Sequence, residues 1–118
     1  MAKVLGIGGV FVKTKDKVAL RAWYRDMLGL DISEWGGAVF KSEGKTVATW
    51  SSFPADSTYF EGNFMINFRV DDAEGLAAAL KAKGANVLDR SDDSEYGKFR
   101  YVVDPDGTLL ELWQPPAT

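Results

Sequence analysis

The stretch that decides the fold is Asp104-Pro105-Asp106-Gly107-Thr108-Leu109-Leu110-Glu111-Leu112-Trp113. Its proline fixes φ at the second position of a turn, and its glycine supplies the left-handed residue that closes a hairpin. In the strand that follows, two-residue alternation places Glu111 on the same face as Leu109 and Trp113. A carboxylate on an apolar strand needs a polar partner or water. Glu111 is therefore the first candidate functional residue.

Over the whole chain, which ends with this hairpin, the same order of elements is predicted twice. In the first half, hydrophobic spacing predicts a strand, and caps predict a helix that begins at its N-cap Asp16 and ends at Gly29. Strands are then predicted over 31–35, 38–41 and 46–52, and a Ser42–Lys45 turn joins the last two. The second half has a strand over 64–70, a helix from Asp72 to Gly84, strands over 85–88, 99–103 and 109–113, and an acidic surface loop over 89–95.

The repeated order predicts an α+β fold. We expect one domain over 1–118, built of two tandem βαβββ modules, 1–53 and 63–118, joined by the linker 54–62. Neither module is large enough to bury its own sheet face, so pairing them would give a curved mixed sheet with helices outside and a concave cavity. A concave face suits a ligand.

Composition excludes several classes of function. The chain contains no histidine and no cysteine, which excludes serine-histidine pairs, thiolate nucleophiles, disulfides and zinc fingers. The formal net charge is −3, and the basic residues are scattered singly, so nucleic acid is not an expected partner. No apolar run long enough for a membrane helix or a signal peptide occurs. We therefore expect a cytoplasmic protein with no membrane partner.

Several segments besides the terminal hairpin carry a family resemblance. They are Gly8-Gly9-Val10-Phe11-Val12, Trp23-Tyr24-Arg25-Asp26-Met27-Leu28-Gly29-Leu30, Ile66-Asn67-Phe68-Arg69-Val70-Asp71-Asp72 and Tyr96-Gly97. With the D-P-D-G-x-x-x-E segment, they resemble the vicinal-oxygen-chelate superfamily of glyoxalases, bleomycin-resistance proteins and extradiol dioxygenases. The resemblance covers nearly the whole chain. It implies the cupped sheet described above and a homodimer.

Metal-bearing relatives hold their ion with four ligands on the first and last strands of each half, usually two histidines and two carboxylates. By the resemblance, those positions here are Gly9, Ala48, Met65 and Glu111. One carboxylate cannot hold a divalent ion with useful affinity. We therefore predict no metal and no cofactor. A site rebuilt from Glu111 with oxygens of Asn67 and Asp71 is the alternative.

Strand parity predicts the lining of the cavity. We expect the ligand-binding residues to be Phe11, Trp50, Met65, Asn67, Arg69, Glu111 and Trp113. Walls of aromatic side chains suit flat organic molecules. Aromatic residues also fill cores, so these side chains equally fit a plug that closes the cavity.

Three functions are open. The favoured one is metal-independent binding of a small organic ligand, planar or cationic, of the glyoxalase and bleomycin-resistance type, with sequestration of an antibiotic or another drug as its use. The alternative is a lyase, isomerase or dioxygenase-type enzyme in which Glu111 acts as acid or base, with an atypical metal or none. The third is a scaffold that acts through its outer surface. Fold likeness alone does not decide among them.

Overall fold

A computed structural model of the protein describes residues 2–28, 30–41, 47–104 and 107–117, apart from the side chains at positions 23, 24, 27 and 28. Its elements are β1 (Val4–Thr14), α1 (Lys17–Leu28), β2 (Gly37–Lys41), β3 (Val47–Pro54), β4 (Phe64–Val70), α2 (Ala73–Ala82), β5 (Asn86–Ser94), β6 (Gly97–Val103) and β7 (Leu109–Gln114). The predicted helix stop at Gly29, the Ser42–Lys45 turn and the Pro105-Asp106 turn centre lie outside the described residues. Within the described chain, α1 and α2 are too short or too polar to cross a membrane.

The chain divides into two compact units. The continuous unit is Gly9–Met65, and the split unit combines Met1–Gly8 with Ile66–Thr118. This division differs from the predicted modules in two respects. The first eight residues group with the second half, and the predicted linker 54–62, with residues 63–65, belongs to the continuous unit. Each unit contains one helix and several strands, which confirms the predicted α+β class.

In the continuous unit, three strands lie in the order β2-β3-β1. β3 pairs parallel with β1 and antiparallel with β2. Asp16 caps α1 as predicted, because its carboxylate accepts a hydrogen bond from the backbone N–H of Ala19 at 2.9 Å. Arg21 connects α1 to β3 by donating from Nε to the Ser52 hydroxyl at 2.8 Å, and that hydroxyl donates to the Gly36 carbonyl at 2.9 Å.

The predicted strand over 31–35 is wrong, because this segment forms a turn. The N–H of Ser33 donates to the Gly37 carbonyl at 2.8 Å, and the N–H of Gly36 donates to the Ser33 carbonyl at 2.9 Å. Gly36 has φ +96°, a left-handed conformation that ends any extended run. A Cβ there would also collide with the Arg21 guanidinium. The glycine therefore reverses the chain where hydrophobicity alone suggested a strand.

In the split unit, four strands lie in the order β4-β7-β6-β5. β4 and β7 are parallel, and the other two pairs are antiparallel. Asp72 caps α2 by accepting from the N–H of Gly75 at 2.9 Å. Val70, Ala73, Val102 and Leu112 form the core between α2 and the strands. The predicted βαβββ order of the second half is confirmed.

The predicted acidic loop over 89–95 is also wrong, because β5 continues through nearly all of it. Two of its acidic side chains have partners on β6: the Tyr101 hydroxyl donates to Asp92 at 2.7 Å, and Arg100 donates to Asp93 at 2.6 Å. These contacts fix an antiparallel hairpin that composition alone did not indicate.

Candidate functional site

The parallel register of β4 and β7 places Asn67 directly beside Glu111. Asn67 Nδ2 donates to Glu111 Oε1 at 2.7 Å, and the two residues are only 2% and 1% exposed. A carboxylate accepts hydrogen bonds, so the amide turns its N–H toward Glu111 and its oxygen away. Asn67 Oδ1 is buried without a hydrogen-bond partner in the described part of the chain. Buried polar atoms of this kind occur at sites of ligand binding or stored strain.

Two register positions farther along, Arg69 lies beside Trp113 on the same face of the sheet. The Trp113 indole N–H donates to the Tyr96 carbonyl at 2.8 Å. Its ring is nearly parallel to that of Phe99, with centroids 6.4 Å apart and an interplanar angle of 9°. The position of the Trp113 ring is therefore fixed by a hydrogen bond to Tyr96, in the turn between β5 and β6, and by the ring of Phe99.

Tyr101 completes this face, and the sequence analysis missed it. It lies opposite Glu111 in the β6–β7 register and is fully buried. Its hydroxyl bonds to Asp92, and the Arg90 guanidinium lies 4.1 Å from the centre of its ring. Alternation along the predicted strand 99–103 put Phe99 and Tyr101 on one face, but only the register shows that this is the face of Glu111.

The structure thus brings together four of the predicted residues, Asn67, Arg69, Glu111 and Trp113, in the split unit. Their face is opposite to the one that packs on α2, because Phe68 and Val70, which alternate with Asn67 and Arg69, lie in the helix-side core. We call this surface, with Phe99 and Tyr101, the Glu111 face.

Phe11 and Met65 belong to the continuous unit. The ring of Phe11 lies 5.6 Å from that of Phe53, which packs in turn on Tyr59 at 5.3 Å and on Phe60 at 5.1 Å. Phe11 is thus part of an aromatic core, with two rings supplied by the segment predicted as a linker. Met65 is fully buried.

Trp50 lies on the opposite face of its sheet from Phe11, so the predicted parity is wrong. β1 and β3 pair Phe11 with Ser51 and Gly9 with Thr49, and these four residues share a face. Trp50 therefore points to the other side with Ser52, whose hydroxyl binds Arg21 of α1. Parity along β3 cannot be tied to parity along β1 until the register between them is known.

The four positions that the resemblance gives to metal ligands do not fit a metal. Gly9, Ala48 and Met65 offer no carboxylate or imidazole, and Glu111 Oε1 is already hydrogen-bonded. A Cβ on Gly9 would overlap Thr49 Oγ1 and lie 2.9 Å from the Thr49 carbonyl oxygen, so the protein itself fills the space for a ligand there.

The alternative metal site fits no better. Asp71 Oδ1 accepts a hydrogen bond from the backbone N–H of Lys3 at 2.8 Å, and that bond lowers the pKa of Asp71. Among the described residues, no three His, Cys, Asp or Glu side chains converge as a metal ion requires.

Comparison with known proteins agrees with this fold. Residues 9–113 match the model of the glyoxalase-like domain family. A search of curated proteins finds no match. Many solved structures resemble the chain, and three of them show the range of likeness. Methylmalonyl-CoA epimerase from Streptomyces coelicolor is 21% identical with a TM-score of 0.74, over 98% of this chain and 100% of that one. Its counterpart from Mycobacterium tuberculosis is 18% identical with a TM-score of 0.69, over 97% and 90%.

The third is a glyoxalase, bleomycin-resistance and dioxygenase superfamily member from Vibrio splendidus 12B01, 15% identical with a TM-score of 0.62, over 97% of this chain and 99% of that one. At these identities the three likenesses establish the fold alone. The family model, in contrast, spans most of the chain. The protein therefore belongs to the glyoxalase-like domain family.

Proposed function

We propose that the chain binds a small organic ligand at the Glu111 face, without the four-ligand metal site of its superfamily. The observation that carries this proposal is the buried Asn67–Glu111 pair, with its 2.7 Å hydrogen bond and its unpartnered amide oxygen. A fold that needed only a core would gain stability from apolar residues at both positions. A retained polar pair supports recognition of a polar group.

The chemistry of the face indicates the class of ligand. Asn67 Oδ1 and the Glu111 carboxyl group are both buried, so a ligand reaches them only when the face rearranges. Once reached, these acceptors favour a ligand that donates hydrogen bonds or carries a positive charge. The parallel rings of Trp113 and Phe99 favour a flat apolar part and stabilise a nearby cation. The ligand class is therefore a planar organic molecule with a donor or cationic group, and drug or antibiotic sequestration is the biological use we propose.

Isothermal titration with a panel of planar cationic and planar neutral compounds tests this proposal. Trp113→Leu should weaken binding, because it removes the flat wall beside Glu111. Trp50→Leu is the matched control, because Trp50 lies on the helix side of the other unit's sheet. Equal loss of affinity in both variants, or in neither, would refute the Glu111 face as the site.

A second candidate function is acid–base catalysis by Glu111. Two observations favour it: the carboxylate is buried with an amide donor, and the fold resembles proteins named as epimerases. The test is a turnover assay with racemisable acyl thioesters, comparing wild type with Glu111→Gln. Activity that survives in Glu111→Gln would exclude this role.

The homodimer implied by the family resemblance stays a prediction. Analytical ultracentrifugation of the untagged protein tests it, and sedimentation as a monomer across the micromolar range would contradict it.

A further inference from the structure

Gly8 of β1 lies against the Asn67 amide within the split unit. A Cβ built on Gly8 would overlap Asn67 Oδ1, and it would lie 3.1 Å from Asn67 Cγ and 2.9 Å from Trp113 Cε3. The amide oxygen thus occupies the space where any other residue would carry its side chain. Gly8 contacts the two side chains, Asn67 and Trp113, that flank Glu111 on β4 and β7.

Gly6, two residues earlier in the same strand, has no comparably close neighbour. A Cβ on Gly6 would meet only the far end of Arg69, with Nη2 at 3.2 Å, and that flexible side chain can move. Alanine is otherwise a better strand residue than glycine, because glycine loses more conformational entropy on folding. Gly8 is buried and faces the Asn67 amide, whereas Gly6 is half-buried and faces the mobile end of Arg69.

We propose that Gly8 is a positioning residue for the ligand site. By leaving its side-chain position empty, it lets the Asn67 amide lie flat against β1 with Nδ2 directed at Glu111. That bond fixes the orientation of the buried carboxylate. This inference rests on the proposed ligand binding and adds to it a residue that does not itself contact the ligand. A side chain at position 8 would push Asn67 and Trp113 out of register with Glu111.

The first part of the test is a double-mutant cycle in which thermal unfolding measures the stability of each variant. Gly8→Ala should lower the midpoint strongly when Asn67 is present and clearly less in an Asn67→Ala background, where the overlap with the amide oxygen is gone and the 2.9 Å contact with Trp113 Cε3 remains. Gly6→Ala is the matched control and should have the same effect in both backgrounds. In NMR spectra, Gly8→Ala should also shift the side-chain amide protons of Asn67. Equal effects of Gly8→Ala in both backgrounds would overturn the proposal.

The second part separates positioning from mere packing. Benzamidine hydrochloride is the planar cationic probe and sodium benzoate its anionic counterpart, each titrated against the Trp113 indole N–H signal. Wild type should bind benzamidine at least about tenfold more tightly than benzoate, as one charge-assisted hydrogen bond provides. Gly8→Ala should lose this preference. The Gly8→Ala/Asn67→Ala variant should regain part of the stability and still lack the preference.

The outcomes distinguish the two proposals. A double variant that regains both stability and preference would show that Gly8 only avoids a clash, and would overturn its positioning role. A wild type that binds both probes equally, with Gly8→Ala unchanged, would overturn the positioning role and leave ligand binding in place. A wild type that binds neither probe would overturn the proposed binding of planar cations and, with it, the role of Gly8.

Discussion

Replacing Asn67 by leucine should destabilise the fold, because leucine keeps the branched shape of asparagine and removes the amide that donates to Glu111 at 2.7 Å. The carboxylate is 1% exposed, so water cannot replace the lost donor without a rearrangement. Replacing both residues, as Asn67→Leu with Glu111→Met, removes the buried carboxyl group as well. The double variant should therefore be more stable than Asn67→Leu alone.

The expected loss of stability in Asn67→Leu follows from what happens to the two polar atoms of the Asn67 amide. Leaving the buried Glu111 oxygen without its donor costs about 2–3 kcal/mol, and removing the unpartnered Asn67 Oδ1 stabilises the fold by about 1 kcal/mol. The net loss is about 1–2 kcal/mol, which in a chain of this size lowers the midpoint of thermal unfolding by roughly 4–8 °C. Apolar replacement of both partners is close to neutral, to within about 1 kcal/mol.

Urea unfolding followed by circular dichroism measures these differences. Asn86→Leu is the control, since it makes the same chemical change at an exposed position of β5. Additive losses in the double variant, or an Asn67→Leu variant as stable as wild type, would refute the coupling between Asn67 and Glu111.

Three further predictions concern the split unit. Hydrogen bonding to Arg100 lowers the pKa of Asp93. The resulting stabilisation is present above the unfolded value of roughly 4 and is lost as pH falls through the folded pKa. Asp93→Asn should therefore reduce the change in urea midpoint across this acidic range, and an unchanged dependence would contradict the pairing. Tyr101→Phe removes the hydroxyl bond to Asp92 and should cost about 1 kcal/mol in urea unfolding; no measurable loss would show that the bond is not stabilising. Gly84→Ala forces φ +89° on alanine and should cost about 1–2 kcal/mol in thermal unfolding; equal stability would mean that the end of α2 has relaxed.

Local sequence signals predicted most of the fold. The caps at Asp16 and Asp72 were correct because a capping bond joins residues only three apart. Alternation along 64–70 correctly separated Phe68 and Val70 from Asn67, because successive side chains of one strand point to opposite faces whatever the strand pairs with.

Features that depend on contacts across the chain were not predictable. Trp50 was placed on the wrong face because the register between β1 and β3 has no local signature. The acidic segment 89–95 was read as a loop because the partners of its carboxylates, such as Arg100, lie on another strand. The role of Gly8 could not be predicted, because it depends on the side chains that lie against it in the structure. A glycine in a strand indicates that another group approaches closely, but the sequence does not show which group.

The measurement that tests the central claim most directly is benzamidine affinity of the untagged protein, followed at the Trp113 indole N–H, before and after dialysis against a chelator. A histidine tag must be absent, because it would import a metal ligand that this chain lacks. We predict the same affinity before and after chelation. Affinity that disappears on chelation and returns with one equivalent of a divalent metal would contradict metal-independent binding at the Glu111 face.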